Sequence, residues 1–151
     1  MKKIFLIFLL ITVGTFAQWE TIELVNELNK KTGAVAIVNM SPDLNFLKFY
    51  KQDDKYEFTG FSQKYLGGKG QYYTTEFKVK NENNEVFEKH GYVSHSNGKL
   101  YTLSSSKDAK KFIEFLKKSK TLKVIVTTYN DNKILMEFDS SNFNEMIDLV
   151  K

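Results

Sequence analysis

QYYTTEFKVKNENNEVFEKHGYVS, residues 71–94, sets the fold class of this chain. Two runs that alternate charged and apolar residues flank Asn81-Glu82-Asn83-Asn84, a polar turn cluster. Alternation of period two with a turn between predicts an antiparallel hairpin with one face buried and the other in water. The same signal recurs on both sides. Upstream, residues 46–51 and 55–62 flank Gln52-Asp53-Asp54, and the apolar run 34–40 ends at Ser41-Pro42-Asp43. Downstream, Ser96-Asn97-Gly98 turns the chain into 99–103, since Asn and Gly both accept positive φ. Residues 122–129 and 133–138 flank Asn130-Asp131-Asn132. A first strand is expected near 18–24, followed by a polar loop through Thr32-Gly33.

Two helices interrupt this pattern. Ser105-Ser106-Lys107-Asp108 matches a capping box, in which Ser105 and Asp108 satisfy free N–H groups at a helix start. Ala109, Phe112, Ile113 and Leu116 follow at helical spacing, to about Ser119. Asp139 to Asn142 offer caps for a last helix, with Phe143, Met146, Ile147 and Val150 as its buried stripe. The expected fold is mainly β (α+β): an antiparallel β-sandwich or curled sheet with two C-terminal helices. No linker and no repeat divides residues 18–151, which are read as a single β-rich globular domain.

Residues 1–17 are read as a signal peptide. Lys2 and Lys3 precede an apolar run from Ile4 to Val13, and Thr15 and Ala17 stand at −3 and −1 of a cleavage after Ala17. The run is about half the roughly 20 residues that a spanning helix needs. With no Cys, the product is not a lipoprotein. A periplasmic or secreted location follows as an expectation, with no stable membrane insertion after cleavage.

Composition narrows the chemistry. No Cys means no disulfide, thiolate catalysis or Cys-bound zinc. Packing must then supply stability, and 13 Phe and 8 Tyr provide the material. Without Lys2 and Lys3 the chain carries 20 cations against 18 acids, net +2, and every cation is Lys. Arg is the residue suited to bidentate phosphate and guanine recognition, so no nucleic acid partner is expected.

No reaction motif stands out. His90 and His95 are too few for a zinc site and lack a nucleophile at triad spacing. Gly67-Gly68-Lys69-Gly70 lacks the spacing and the Ser or Thr of a phosphate loop. Asp53, Asp54, Glu57, Glu76, Glu82, Glu85 and Glu88 sit in turns or on solvated strand faces rather than as a catalytic pair. The turn around Asp131 lacks the spaced ligands and terminal Glu of a calcium loop. No catalytic residue, metal or cofactor is therefore expected. The tyrosines are the richest remaining feature. Tyr65, Tyr72, Tyr92 and Tyr101 are the candidate ligand-binding residues, because flat apolar rings with hydroxyls suit sugar or peptide faces. Tyr73 neighbours Tyr72 and must point the other way.

The order of features also resembles a family. A Trp follows the signal peptide, and Thr32-Gly33 precedes a strand. Tyr65-Leu66-Gly67-Gly68 stands mid-chain, and Phe112-Ile113-Glu114-Phe115-Leu116 precedes Leu122-Lys123-Val124-Ile125-Val126. The chain closes with Met136-Glu137-Phe138-Asp139-Ser140-Ser141-Asn142-Phe143. This resembles small exported β-rich domains related to the type VI secretion-associated VasI-like and invasion-associated-locus-B-like proteins. Asn142 stands where those chains usually carry Gly. The resemblance implies a non-enzymatic envelope or secreted domain and supplies no catalytic residues. The functional expectation is an exported, non-catalytic interaction domain of the bacterial envelope with a protein partner. The alternatives are a carbohydrate- or small-ligand-binding module, or a periplasmic inhibitor of a wall-degrading enzyme.

Overall fold

Four polar clusters turn the chain by one shared device. In each, the first residue's amide donates to the fifth residue's carbonyl, and the fourth residue's amide donates back to the first. The frames are Asn26 to Lys30, Ser41 to Asn45, Asn81 to Glu85 and Thr128 to Asn132. The fourth residue takes positive φ: Asn29 (55°), Leu44 (61°), Asn84 (62°) and Asp131 (61°). Asn and Asp tolerate that conformation, whereas Leu44 holds it at a cost of about 1 kcal/mol. The first side chain supplies a further acceptor, from Asn26 to the Leu28 and Lys30 amides and from Asn81 to those of Asn83 and Glu85. Ser41 and Thr128 do the same for the Asn45 and Asn132 amides. Asp53 and Asp54, both at positive φ, make the two-residue turn of a fifth hairpin.

The computed structural model describes residues 18–67, 73–94 and 97–151. The strands are β1 (Trp19–Val25), β2 (Lys31–Met40), β3 (Phe46–Gln52), β4 (Lys55–Phe61), β5 (Tyr73–Asn81), β6 (Val86–Val93), β7 (Leu100–Leu103), β8 (Thr121–Thr127) and β9 (Lys133–Asp139). Helix α1 (Ser106–Leu116) joins β7 to β8, and α2 (Phe143–Ile147) follows β9. The polar loop expected through Thr32-Gly33 is in fact the start of β2. The turn lies earlier, at Asn26 to Lys30, where a side-chain cap closes it.

The described strands form one antiparallel sheet in the order β1-β2-β3-β4-β7-β6-β5-β8-β9. It curls into a half-barrel, so the curled-sheet alternative is the one realised. Of the two helices, α2 is near the C-terminus, while α1 sits between β7 and β8. Two crossovers build this order. The chain passes from β4 over two strand positions to β5, and α1 joins β7 to β8 over two more.

The helices fill the concave side. Ser105 caps α1 by accepting from the Asp108 amide at 3.2 Å, as the capping box requires. One face of α1 then buries Ala109, Phe112, Ile113, Phe115 and Leu116. The Phe112 ring is the hub: its centroid lies 5.7 Å from Phe49, 5.1 Å from Phe58, 5.3 Å from Phe77 and 4.9 Å from Phe87. Those rings come from β3, β4, β5 and β6, so one helical residue ties four strands together. From α2, Phe143 meets Trp19 at 5.1 Å and Phe49 at 5.8 Å.

A polar seam draws the two ends of the curl together. The Trp19 indole donates to Ser140 Oγ at 3.0 Å, and its amide donates to Asn142 Oδ1 at 3.0 Å. Asn142 Nδ2 donates back to the Trp19 carbonyl at 2.9 Å, so a side-chain amide stands in for a neighbouring strand. Lys151 and Val35 exchange both main-chain bonds, at 3.1 and 2.6 Å. The Asn39 side chain donates to the Asp139 carbonyl.

Candidate functional site

Cross-strand register assigns each side chain to a face, and the convex face divides in two. On the β2-β3-β4-β7 half, Met40 pairs with Phe46, Phe46 with Phe61, and Phe61 with Leu100. Beside that row, Val38 pairs with Lys48, Lys48 with Thr59, Thr59 with Thr102, and Thr102 with Tyr92. The Phe46 and Phe61 rings stack at 5.2 Å with 10° between their planes. Val38, Met40, Phe46, Phe61 and Leu100 are all half-buried, and Tyr92 is exposed. Lys48 lies among them with its ammonium 5.1 Å from the Tyr50 ring centre. Partial loss of water around it holds its pKa below the usual lysine range.

The β6-β5-β8-β9 half is built oppositely. Lys78 bridges Glu88 at 3.4 Å, Lys123 bridges Glu137 at 3.8 Å, and Glu76 stands opposite His90. Val86 and Leu135, with Tyr92 at the boundary, are the exposed large apolar residues there, and Ile125 beside Leu135 is half-buried. The outward face of an antiparallel sheet is ordinarily polar. The β2-β3-β4-β7 half departs from this in the unbroken row Met40, Phe46, Phe61 and Leu100.

Of the four tyrosines singled out in the sequence, the three among the described residues do not share a surface. Tyr101 points into the core at 1% exposure. Its ring lies across Gly60, where an added Cβ would meet Tyr101 Cζ at 2.1 Å. Among the described residues its hydroxyl has no hydrogen-bond partner, and burial pushes its pKa well above the ordinary tyrosine value. Tyr92, one register step away, points to the convex face. Tyr72 lies outside the described residues, as do His95 and Gly68-Lys69-Gly70 of the glycine-rich stretch. Tyr65 is on a strap that closes one end of the half-barrel. The strap is pinned where Leu66 donates to the Gly98 carbonyl at 2.7 Å and accepts from the Tyr129 amide at 2.9 Å. Leu66 is fully buried as a plug. Tyr65 covers Gly98 and meets Tyr129 edge-on at 6.4 Å, with both rings exposed. Sequence reading missed Tyr129, whose only signal is its place just before the Asn130-Asp131-Asn132 turn.

Other features carry less. An open depression of about 320 Å³ lies between α1 and α2 over Tyr56, Ile113 and Ile147. On its rim Lys117 is already bonded to Glu114 at 2.9 Å. Glu57 accepts from the Ser106 hydroxyl, and Asp108 faces Lys89 at 3.8 Å, which ties the start of α1 to β4 and β6. Among the described residues, no three of His, Cys, Asp and Glu cluster within metal-binding reach. Nor is any described helix long and apolar enough to cross a membrane. Comparison of the chain with protein-family models, characterised proteins and solved structures finds no match.

Proposed function

We propose that this chain is an exported, non-catalytic interaction domain of the bacterial envelope, and that it binds a protein partner through the apolar half of its convex face. The half-buried set Val38, Met40, Phe46, Phe61 and Leu100, with Tyr92 beside it, carries this reading. An aromatic and aliphatic centre rimmed by polar residues is the composition of a protein-binding surface. The concave face offers no rival, because Phe112 and its neighbours already fill it. The leader-like residues 1–17 support export. The test is cross-linking in cells producing the tagged chain, followed by identification of what co-purifies. One dominant partner, lost with Phe61→Ser and kept with Glu88→Gln, is the expected result. Recovery of nothing above a matched control would overturn the reading.

A second reading rests on a separate observation, the exposed Tyr65–Tyr129 pair. Aromatic faces of this kind suit a glycan. Calorimetric titration with peptidoglycan fragments, repeated with Tyr129→Ala, tests it. Trp19 fluorescence would be a poor reporter, since the indole is buried and bonded to Ser140.

A further inference from the structure

The two edges of the sheet are not equally guarded. On β1, a bulge interrupts pairing between Glu23 and Val25, and the Asn142 carboxamide occupies both main-chain groups of Trp19. Bulges and covering groups are how proteins keep an edge from pairing with another chain. On β9 the register with β8 runs unbroken from Lys133 to Asp139. Among the described residues, its far side is open from Lys133 to Glu137.

Which groups face that open side follows from the turn. The Thr128 amide donates to the Asn132 carbonyl, so this pair bonds across the hairpin. Antiparallel bonding alternates along a strand. Ile134 and Met136 therefore bond to β8, and Lys133, Leu135 and Glu137 direct their N–H and C=O outward. Asp139, next in that series, agrees: its carbonyl accepts from the Asn39 side chain. Among the described residues, nothing bonds the main chain of 133–137 on that side.

The same three residues carry their side chains on the convex face, in the order cation, apolar, anion. Leu135 is 57% exposed. That order is complementary to itself when reversed. We propose that β9 pairs antiparallel with β9 of a second copy about a two-fold axis at Leu135, joining two half-barrels through one continuous sheet. Leu135 then meets its own copy through two main-chain bonds, and each Lys133 lies opposite Glu137 of the second copy. Glu137, now loosely paired with Lys123 at 3.8 Å, gains a second cation. The pairing stops at Glu137, because Asn39 already holds the Asp139 carbonyl. The inference is independent of the convex apolar surface proposed above.

Sedimentation velocity of the purified protein over a concentration series tests it. A short strand pairing is a small interface, so a concentration-dependent dimer is expected by about 100 μM. Lys133→Glu and Glu137→Lys each place two like-charged pairs across the axis and should weaken association about tenfold or more. The double variant Lys133→Glu/Glu137→Lys restores complementarity and should recover the dimer. Phe61→Ser should leave it intact. A monomer throughout the series overturns the proposal, as does a dimer indifferent to the single reversals or one the double variant fails to restore. Loss of the dimer in Phe61→Ser would place the contact on the convex face instead.

Discussion

The two halves of the convex face share one core and one strand pattern, yet one half carries an unbroken apolar row and the other carries cross-strand ion pairs. Beneath both lie the same kinds of side chain: Leu47, Phe49 and Phe58 on one side, Phe77, Val79, Val124 and Met136 on the other. Stability therefore does not explain the difference outside. A half-buried ring on an otherwise solvated face adds little to folding but offers area to a partner, whereas Lys78–Glu88 and Lys123–Glu137 add little to either. The proposed function rests on this contrast, with β2, β3, β4 and β7 as the binding half.

The largest test asks whether the halves are one folding unit. Phe112→Ala removes the ring shared by β3, β4, β5 and β6 and should cost about 3–5 kcal/mol. Urea unfolding should show a single cooperative transition shifted to lower denaturant. Two separate transitions would mean that the halves are independent and the comparison misplaced.

A smaller effect separates core from surface. Tyr101→Phe deletes a buried hydroxyl without a partner and should stabilise the protein by about 1 kcal/mol. It should also change the alkaline limb. The folded chain keeps the Tyr101 proton that the unfolded chain releases near pH 10, so wild-type stability falls as pH rises past that point. Tyr101→Phe should lack this decline. Lys48 works in the other direction. Its folded pKa is lowered, so stability rises with pH through the window just under 10.5, and Lys48→Met should remove that rise. Denaturant midpoints between pH 8 and 11 would show both. A Tyr101→Phe variant that folds no better and loses a ligand would return Tyr101 to the site.

The smallest stability effects sharpen the contrast itself. Phe61→Ser should cost under about 1 kcal/mol, and Glu88→Gln under about 0.5 kcal/mol, with only the first abolishing partner capture. Equal loss of partner in both variants would dissolve the distinction between the halves.

Much of this architecture was legible in local sequence, because turns and caps are local chemistry. Asn81 to Glu85 and Ser105 to Asp108 fold as their residue types require. The first hairpin misled because Thr32-Gly33 resembles a turn, while the side-chain acceptor that closes the loop is Asn26, four residues before Lys30. The tyrosines show the limit more sharply. Tyr92 and Tyr101 are chemically alike, but the β6–β7 register pairs Val93 with Tyr101 and Tyr92 with Thr102, so one ring enters the core and the other faces out. A slip of one residue would exchange them.

Residue order alone therefore determined the β-rich class, most of the turns and the capped helix, since each depends on contacts a few positions apart. Only the tertiary structure decided that the sheet curls around α1, that Leu66 plugs one end, and that Tyr65 meets Tyr129. It also decided that Met40, Phe46, Phe61 and Leu100 line up on one face. These depend on strand order and register, set by crossovers between residues tens of positions apart, and no local pattern encodes which distant strand becomes a neighbour.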